Sequence, residues 1–196
     1  MSLRHERRLQ VSGGFWLVTA WFCLDNGWLL LGTILGAAVI HELGHCLALR
    51  CLRVPLGRLR LGVLGAVLEA DRGHLSYGGE LFCVLAGPGA NLLCVLLLAA
   101  AGQGRWDVAT GANLVLCVFN LLPLRPLDGG RALHLAVSWL AGPTVGEFIA
   151  RWMGTLTGTA LGTAAVWVMG RTGGSLWLLP TAAAAYILAV REMFGK

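Results

Sequence analysis

The sequence predicts an all-α polytopic membrane protein with about six transmembrane helices and a short membrane-associated β-like or re-entrant segment near residues 59–70. Composition is the first observation behind this fold class. Of the 196 residues, 57% are hydrophobic and 13% are charged, and the mean hydropathy is +0.72. Soluble domains carry about 25% charged residues. The second observation is that several separate apolar runs approach the length of about 20 residues that a helix needs to cross hydrocarbon.

The apolar runs define the predicted elements in order. Six spans are expected at 13–24, 28–49, 79–101, 108–124, 148–170 and 175–190. The first run is short, so its helix is expected to begin near Leu9, and the turn signal Asp25-Asn26-Gly27 follows it. Residues 59–68 are apolar but too few for a helical span, which favours a β-like or re-entrant segment. A short helix is expected at Ala132–Leu140, after a break at 125–131.

The fifth predicted span carries a stripe of small residues. Gly154, Gly158 and Gly162 recur every four residues, so they share one helix face and permit close contact with another helix. We interpret the stripe as packing within the monomer, and a dimer seam is the alternative.

The basic residues predict the orientation in the membrane. If the N-terminus lies inside, thirteen of the fifteen Lys and Arg residues face the cytoplasm, and only Arg105 and Arg171 lie outside. Positive charge is concentrated in cytoplasmic loops of membrane proteins. The sequence therefore predicts a multi-pass cell-membrane protein with both termini in the cytoplasm. The formal net charge of +5 is interpreted as topological anchoring, and no nucleic-acid partner is expected.

Three polar residues, His41, Glu42 and His45, interrupt the apolar run 28–49. Polar groups at membrane depth are costly and mark functional sites. Residues four apart share a helix face, so both imidazoles can bind one metal ion, with Glu42 next to the first. This is the spacing of a zinc-peptidase helix, and zinc suits the donor set. The alternative is a pair of histidines packed in the core of a bundle.

A third ligand is expected, because a catalytic zinc typically has three protein ligands and one open position. Asp128 is the candidate. It follows the fourth predicted span and lies on the same predicted side of the membrane as the histidines. In the sequence it stands between Pro126 and the pair Gly129-Gly130. Those neighbours indicate a fixed, non-helical backbone. The alternative is that Asp128 caps the helix that follows.

Two motifs together resemble the site-2 protease family of intramembrane zinc metalloproteases (peptidase M50), in particular its stage IV sporulation protein FB type. They are the segment 41–45, His-Glu-Leu-Gly-His, and the segment 120–131, Asn-Leu-Leu-Pro-Leu-Arg-Pro-Leu-Asp-Gly-Gly-Arg. The resemblance covers roughly residues 10–195. It implies that His41, His45 and Asp128 bind Zn2+, that Glu42 is catalytic, and that Asn120 holds the substrate backbone.

A third stretch, Gly87-Pro88-x-x-Asn91, is also similar to a family motif, with close packing as the alternative explanation. The function implied by the resemblance is regulated intramembrane proteolysis of membrane-embedded or membrane-associated protein substrates in the lipid bilayer. Processing of a pro-sigma factor, as in sporulation, is one form of it.

The expected organisation is a single transmembrane metalloprotease domain over residues 1–196. Neither the nucleotide-sensing CBS domain often carried by sporulation-type members nor a PDZ-like insertion is visible in the sequence. A membrane regulator and a homo-oligomer are left open. The alternative function is a membrane metal transporter or a metal-binding sensor without protease activity. A transporter would show polar residues on several spans, whereas these spans are nearly all apolar.

Overall fold

The computed structural model describes residues 9–11, 13–62, 65–70, 75–102, 107–172 and 178–194. These residues form three strands and seven helices. In chain order they are β1 (Leu9–Val11), α1 (Gly13–Asn26), α2 (Trp28–Cys51), β2 (Leu56–Gly62), β3 (Gly65–Ala70), α3 (Tyr77–Ala101), α4 (Val108–Asn120), α5 (Asp128–Ala141), α6 (Pro143–Thr172) and α7 (Leu178–Phe194). The chain divides into two compact units, Met1–Val118 and Phe119–Lys196.

Two helices in the described part of the chain, α2 and α3, are long and apolar enough to cross a membrane. Their polar residues His41, His45 and Asn91 are buried, whereas large apolar side chains such as Leu43 and Leu97 are exposed. A soluble protein rarely exposes contiguous apolar surface of this kind, and lipid is the solvent that suits it. The distribution is that of a membrane protein. The count of six spans stays a prediction.

The segment near residues 59–70 forms strands. β2 and β3 pair antiparallel, with Gly62 opposite Gly65. β1 pairs parallel with β2, in the register Leu9 with Leu59, so the strand order is β1-β2-β3. Of the two forms that the sequence left open for this segment, the structure has the β form.

The predicted start of the first helix near Leu9 is wrong. Leu9–Val11 is a strand, and α1 begins at Gly13. The partners of β1 lie about fifty residues later in the chain. Such a non-local pairing overrides the local apolar pattern, which by itself is compatible with a helix or a strand.

α2 and α3 pack closely because a glycine faces α3 from α2. A Cβ added at Gly44 would lie 2.3 Å from the Ala86 carbonyl oxygen and 2.8 Å from the Ala90 Cβ. Small residues at such a crossing let two backbones approach in a membrane protein. The adjacent core consists of Ala48, Leu49 and Cys83.

α4 begins with a side-chain cap. Asp107 Oδ1 accepts a hydrogen bond of 2.7 Å from the Thr110 backbone N–H, which satisfies one of the donors left open at a helix start. The same interaction lowers the pKa of the Asp107 carboxyl from its ordinary value. The helix ends at Asn120, four residues before the predicted end of the fourth span.

The glycine stripe of the fifth span lies against a neighbouring helix of its own unit. A Cβ at Gly158 would lie 2.9 Å from the Ala189 Cβ, and one at Gly162 would lie 2.9 Å from the Tyr186 ring. Both contacts join α6 to α7. The interpretation of the stripe as packing within the monomer is therefore confirmed at Gly158 and Gly162.

The α2–α3 crossing generates a stability prediction. We expect Gly44→Ala to destabilise the protein by about 1–3 kcal/mol, because the new methyl group meets backbone that must shift. Thermal unfolding in detergent, followed by circular dichroism, measures the change. Gly36→Ala is the matched control on the same helix, since nothing lies within 4 Å of a Cβ there. Equal melting temperatures for the two variants would contradict the assigned crossing.

Candidate active site

The two histidines of α2 point to the same side of the helix and are buried. His41 is 6% exposed and His45 is 8% exposed, while Leu43 and Leu47 on the opposite face are 53% and 62% exposed. Their rings meet edge to face with centroids 4.8 Å apart. The spacing of four residues therefore brings the two imidazoles together, as the sequence predicts.

Each imidazole is oriented by a hydrogen bond through its Nδ1 atom. His41 Nδ1 lies 2.7 Å from Asn91 Oδ1, and His45 Nδ1 lies 2.8 Å from the Cys83 carbonyl oxygen. Both oxygens are acceptors, so each Nδ1 carries the proton and donates it. In a neutral imidazole this leaves a lone pair on Nε2.

The two Nε2 atoms face each other at 3.1 Å. Two nitrogen lone pairs at that distance repel unless a cation or a proton lies beside both. Nitrogen ligands at about 2.0–2.1 Å from a tetrahedral zinc ion lie about 3.3–3.4 Å apart. The imidazole pair therefore fits a shared metal ion in its spacing and in its tautomer.

Asn91 is fixed so that its carbonyl oxygen faces His41. Its amide nitrogen donates to the Ala37 carbonyl oxygen at 3.0 Å and to Asn113 Oδ1 at 2.8 Å. Asn91 is fully buried at 0% exposure. Since both partners of the amide nitrogen are acceptors, the amide has one satisfactory orientation, and that orientation sets the His41 tautomer.

Gly87 leaves the space in front of the two imidazoles. A Cβ at this position would lie 2.3 Å from His45 Nε2 and 2.8 Å from His41 Nε2. Any other residue would therefore occupy the place that a ligand of both nitrogens needs. Together with Asn91, Gly87 gives the motif of residues 87–91 a function beside the histidines, in addition to close packing.

Glu42 follows His41 on α2 and is half-buried. One residue corresponds to about 100° around a helix, so the carboxylate lies to one side of the imidazole pair. The carboxylate is therefore a titratable group next to the imidazole pair in sequence.

The other two predicted site residues belong to the second unit. Asn120 is the last residue of α4 and Asp128 is the first residue of α5, and both are half-buried. The expectation of a non-helical backbone around Asp128 is wrong, because residues 128–130 form the first turn of α5. The cap position is Leu127, so Asp128 does not cap this helix. A carboxylate in this first turn is favoured by the helix dipole.

Close packing explains the two glycines after Asp128. A Cβ at Gly129 would lie 2.1 Å from the Leu121 carbonyl oxygen, and one at Gly130 would lie 2.3 Å from the Leu124 carbonyl group. The start of α5 therefore rests directly on the backbone of the preceding loop. This contact holds the backbone at Asp128 in place although that backbone is helical.

Comparison with known proteins yields relatives by sequence. No protein-family model matches the chain. The chain is 28% identical over 138 residues to stage IV sporulation protein FB of Bacillus subtilis, covering 67% of this chain and 48% of that protein. It is 30% identical over 122 residues to a zinc metalloprotease of Methanocaldococcus jannaschii, covering 57% and 35% respectively. The chain thus spans about half or less of the length of these curated relatives.

Comparison with solved structures yields a matching fold. The fold matches that of the site-2 protease from Methanocaldococcus jannaschii with a TM-score of 0.68 and 24% sequence identity, over 94% of this chain and 89% of that chain. The chain therefore shares its fold with a site-2 protease and is similar in sequence to a zinc metalloprotease. This similarity is consistent with the apolar helices and with the imidazole pair of α2.

Sequence reasoning identified the two histidines but missed part of the hydrogen-bond network that supports them. Asn113, which accepts a hydrogen bond from Asn91 and donates to the Ala109 carbonyl oxygen, was not singled out. The available signal was its position in the apolar helix α4, because an amide buried in an apolar helix needs a partner.

The support of His41 generates a metal-binding prediction. We expect Asn91→Leu to lower zinc affinity about 10–100-fold, because loss of such an outer partner releases the ligand ring. Competition against a chromophoric chelator measures the affinity. Asn26→Ala at the exposed end of α1 is the control. Wild-type affinity in a folded Asn91→Leu protein would show that the hydrogen bond does not orient His41.

Proposed function

We propose that this protein is an intramembrane zinc metalloprotease that cleaves membrane-embedded or membrane-associated protein substrates. The observation that carries the proposal is the pair of Nε2 atoms facing each other at 3.1 Å on an apolar helix, with Glu42 beside them. Packing for stability alone does not require the Nε2 lone pairs of two histidines to be directed at the same point. The name of the Methanocaldococcus jannaschii relative, a zinc metalloprotease, supports the same activity.

His41, His45 and Asp128 are the proposed zinc ligands. They offer two imidazole nitrogens and one carboxylate oxygen, a set able to hold a metal ion and one that zinc accepts in catalytic sites. When bound, zinc would polarise the substrate carbonyl and make water acidic enough to lose a proton near neutral pH. The first two ligands are held by α3, and Asp128 is held by the packing of Gly129 and Gly130.

Glu42 is the proposed general base and acid. Its carboxylate takes a proton from the attacking water and then delivers that proton to the leaving amine. A half-buried position suits both steps, since it admits water and strengthens the interaction of the carboxylate with nearby charge.

Asn120 is the proposed contact for the substrate backbone. A side-chain amide can donate to one carbonyl and accept from one N–H group, which matches an extended peptide. An extended form is needed, because the carbonyls of a helix are engaged within the helix. β3, an edge strand of the described sheet, offers backbone groups for pairing with such a segment.

The proposed topology has six spans with both termini in the cytoplasm, from the distribution of positive charge. α2 then ends at the cytoplasmic face, and the histidines lie about 6–12 Å below it, from the helical rise per residue. The proposed protease domain covers residues 1–196. The bilayer and a membrane-associated substrate are the partners, and pro-sigma factor processing is the form of the activity tested first. A membrane regulator and a homo-oligomer are compatible with this arrangement.

Glu42→Gln tests the catalytic assignment. We expect the variant to keep its zinc and to lose at least about 100-fold in cleavage rate, because the amide cannot accept the proton. Co-expression with membrane-tethered candidate substrates, read by gel mobility, measures cleavage. Full activity in this variant would end the protease proposal. Metal flux into proteoliposomes without any proteolysis would instead favour the transporter.

Asp128→Asn tests the third ligand. We expect weaker zinc binding and a loss of cleavage, because an amide oxygen carries no net charge to hold the cation. Zinc content after dialysis against a chelator measures retention. Asp25→Asn, at an exposed position near the end of α1, is the charge-matched control. Unchanged zinc content in Asp128→Asn would remove this residue from the ligand set.

A further inference from the structure

An apolar groove with a volume of about 390 Å³ lies between α2 and α4 in the first unit. All of its lining residues are apolar. They are Leu30, Ile34 and Ala37 on α2 and Val108, Gly111, Ala112, Val115 and Leu116 on α4. The spacings within each set are those of a single helix face, so two whole faces line the groove.

The apolar groove is open to the surface of the first unit. Ala37 at its base is buried, Ile34 and Gly111 are half-buried, and Val108 and Val115 at its rim are 60% and 67% exposed. Small residues on α4 create the width, because nothing lies within 4 Å of a Cβ added at Gly111. The groove is therefore accessible and has room for the side chains of a bound molecule.

The apolar groove is continuous with the candidate active site. His41 follows Ala37 by four residues on the same face of α2. The Ala37 carbonyl also accepts the Asn91 hydrogen bond that helps to orient the His41 ring. On α4, Asn120 follows Leu116 by four residues. Both helical faces of the groove thus lead to residues assigned to catalysis or substrate binding.

We propose that the apolar groove binds apolar side chains of the substrate on the membrane side of the scissile bond. The inference rests on the proposed function and its orientation, in which the groove lies deeper in the bilayer than the histidines. Along α2, the groove extends from about 6 to about 16 Å beyond His41, at 1.5 Å per residue. An extended peptide rises about 3.3 Å per residue. The groove therefore contacts substrate residues about two to five positions from the cleaved bond.

Continuity with the site favours substrate as the occupant. A lipid acyl chain is apolar like the groove, but no interaction would align it with the faces of α2 and α4 that continue to His41 and Asn120. A substrate segment placed in the groove would be extended, apolar and aligned toward both residues. The groove would then select substrates by the size of the side chains it receives.

The test uses a single-span protein that the wild type cleaves and Glu42→Gln does not. Two versions carry Leu or Ala at positions two to five on the membrane side of the cleaved bond. We expect Gly111→Leu to lower the Leu-to-Ala ratio of cleavage rates at least about tenfold, since pocket volume discriminates on this scale. Gly32→Leu, at an exposed position on the α2 face away from the groove where nothing lies within 4 Å of an added Cβ, should keep the wild-type ratio.

A second variant guards against misfolding. Ile34→Ala enlarges the groove, so we expect it to raise the rate for a version with Phe at these positions relative to Leu. A damaged fold does not produce such a gain for the larger substrate. Cleavage rates in proteoliposomes, with zinc content measured in parallel, supply both ratios.

The outcomes separate the two proposals. Wild-type ratios in both Gly111→Leu and Ile34→Ala would overturn the groove assignment while leaving the protease intact. Equal slowing of all substrate versions in both variants would also overturn it, as expected for a structural lipid. If no membrane protein is cleaved by the wild type, the proposed function fails first and the groove assignment fails with it.

Discussion

The hydrogen bond between His41 Nδ1 and Asn91 Oδ1 is the interaction on which the first unit depends. An imidazole buried in an apolar helix of a membrane protein has little water to satisfy it, so a neighbouring helix must supply the partner. α3 does this twice, through the Asn91 side chain and through the Cys83 carbonyl. Both bonds require the two helices to run close together, which Gly44 permits at the crossing.

The residues that pack α2 against α3 are also those that prepare the site. Gly87 leaves space in front of the Nε2 atoms, and the next residue, Pro88, lies inside α3. Proline cannot donate to the carbonyl four residues earlier, so it weakens the regular hydrogen-bond ladder in that turn. The carbonyl that loses its helical donor is that of Val84, and the neighbouring Cys83 carbonyl accepts the hydrogen bond from His45. The residues of the 87–91 motif therefore both pack α3 against α2 and prepare the site.

The sequence predicted most of the long helices well because continuous apolar runs bounded by glycine and charge leave few alternatives. α2 was predicted at 28–49 and is Trp28–Cys51; α3 was predicted at 79–101 and is Tyr77–Ala101. The errors come from contacts between distant residues. β1 depends on pairing with β2. Gly129 and Gly130 look like a turn in isolation, but they serve helix packing, which only the tertiary contact with residues 121–124 reveals.

The site shows the same division between local and non-local information. The spacing of His41 and His45 fixes their common face, so sequence alone predicts that the imidazoles meet. The identity of their partners depends on how α3 and α4 lie beside α2. Asn91 joins all three helices by accepting from His41 and donating to Ala37 and Asn113. Polar residues in apolar helices must find one another, so a pair of buried histidines implies further buried amides. Their positions in the chain become evident only when the helices are packed.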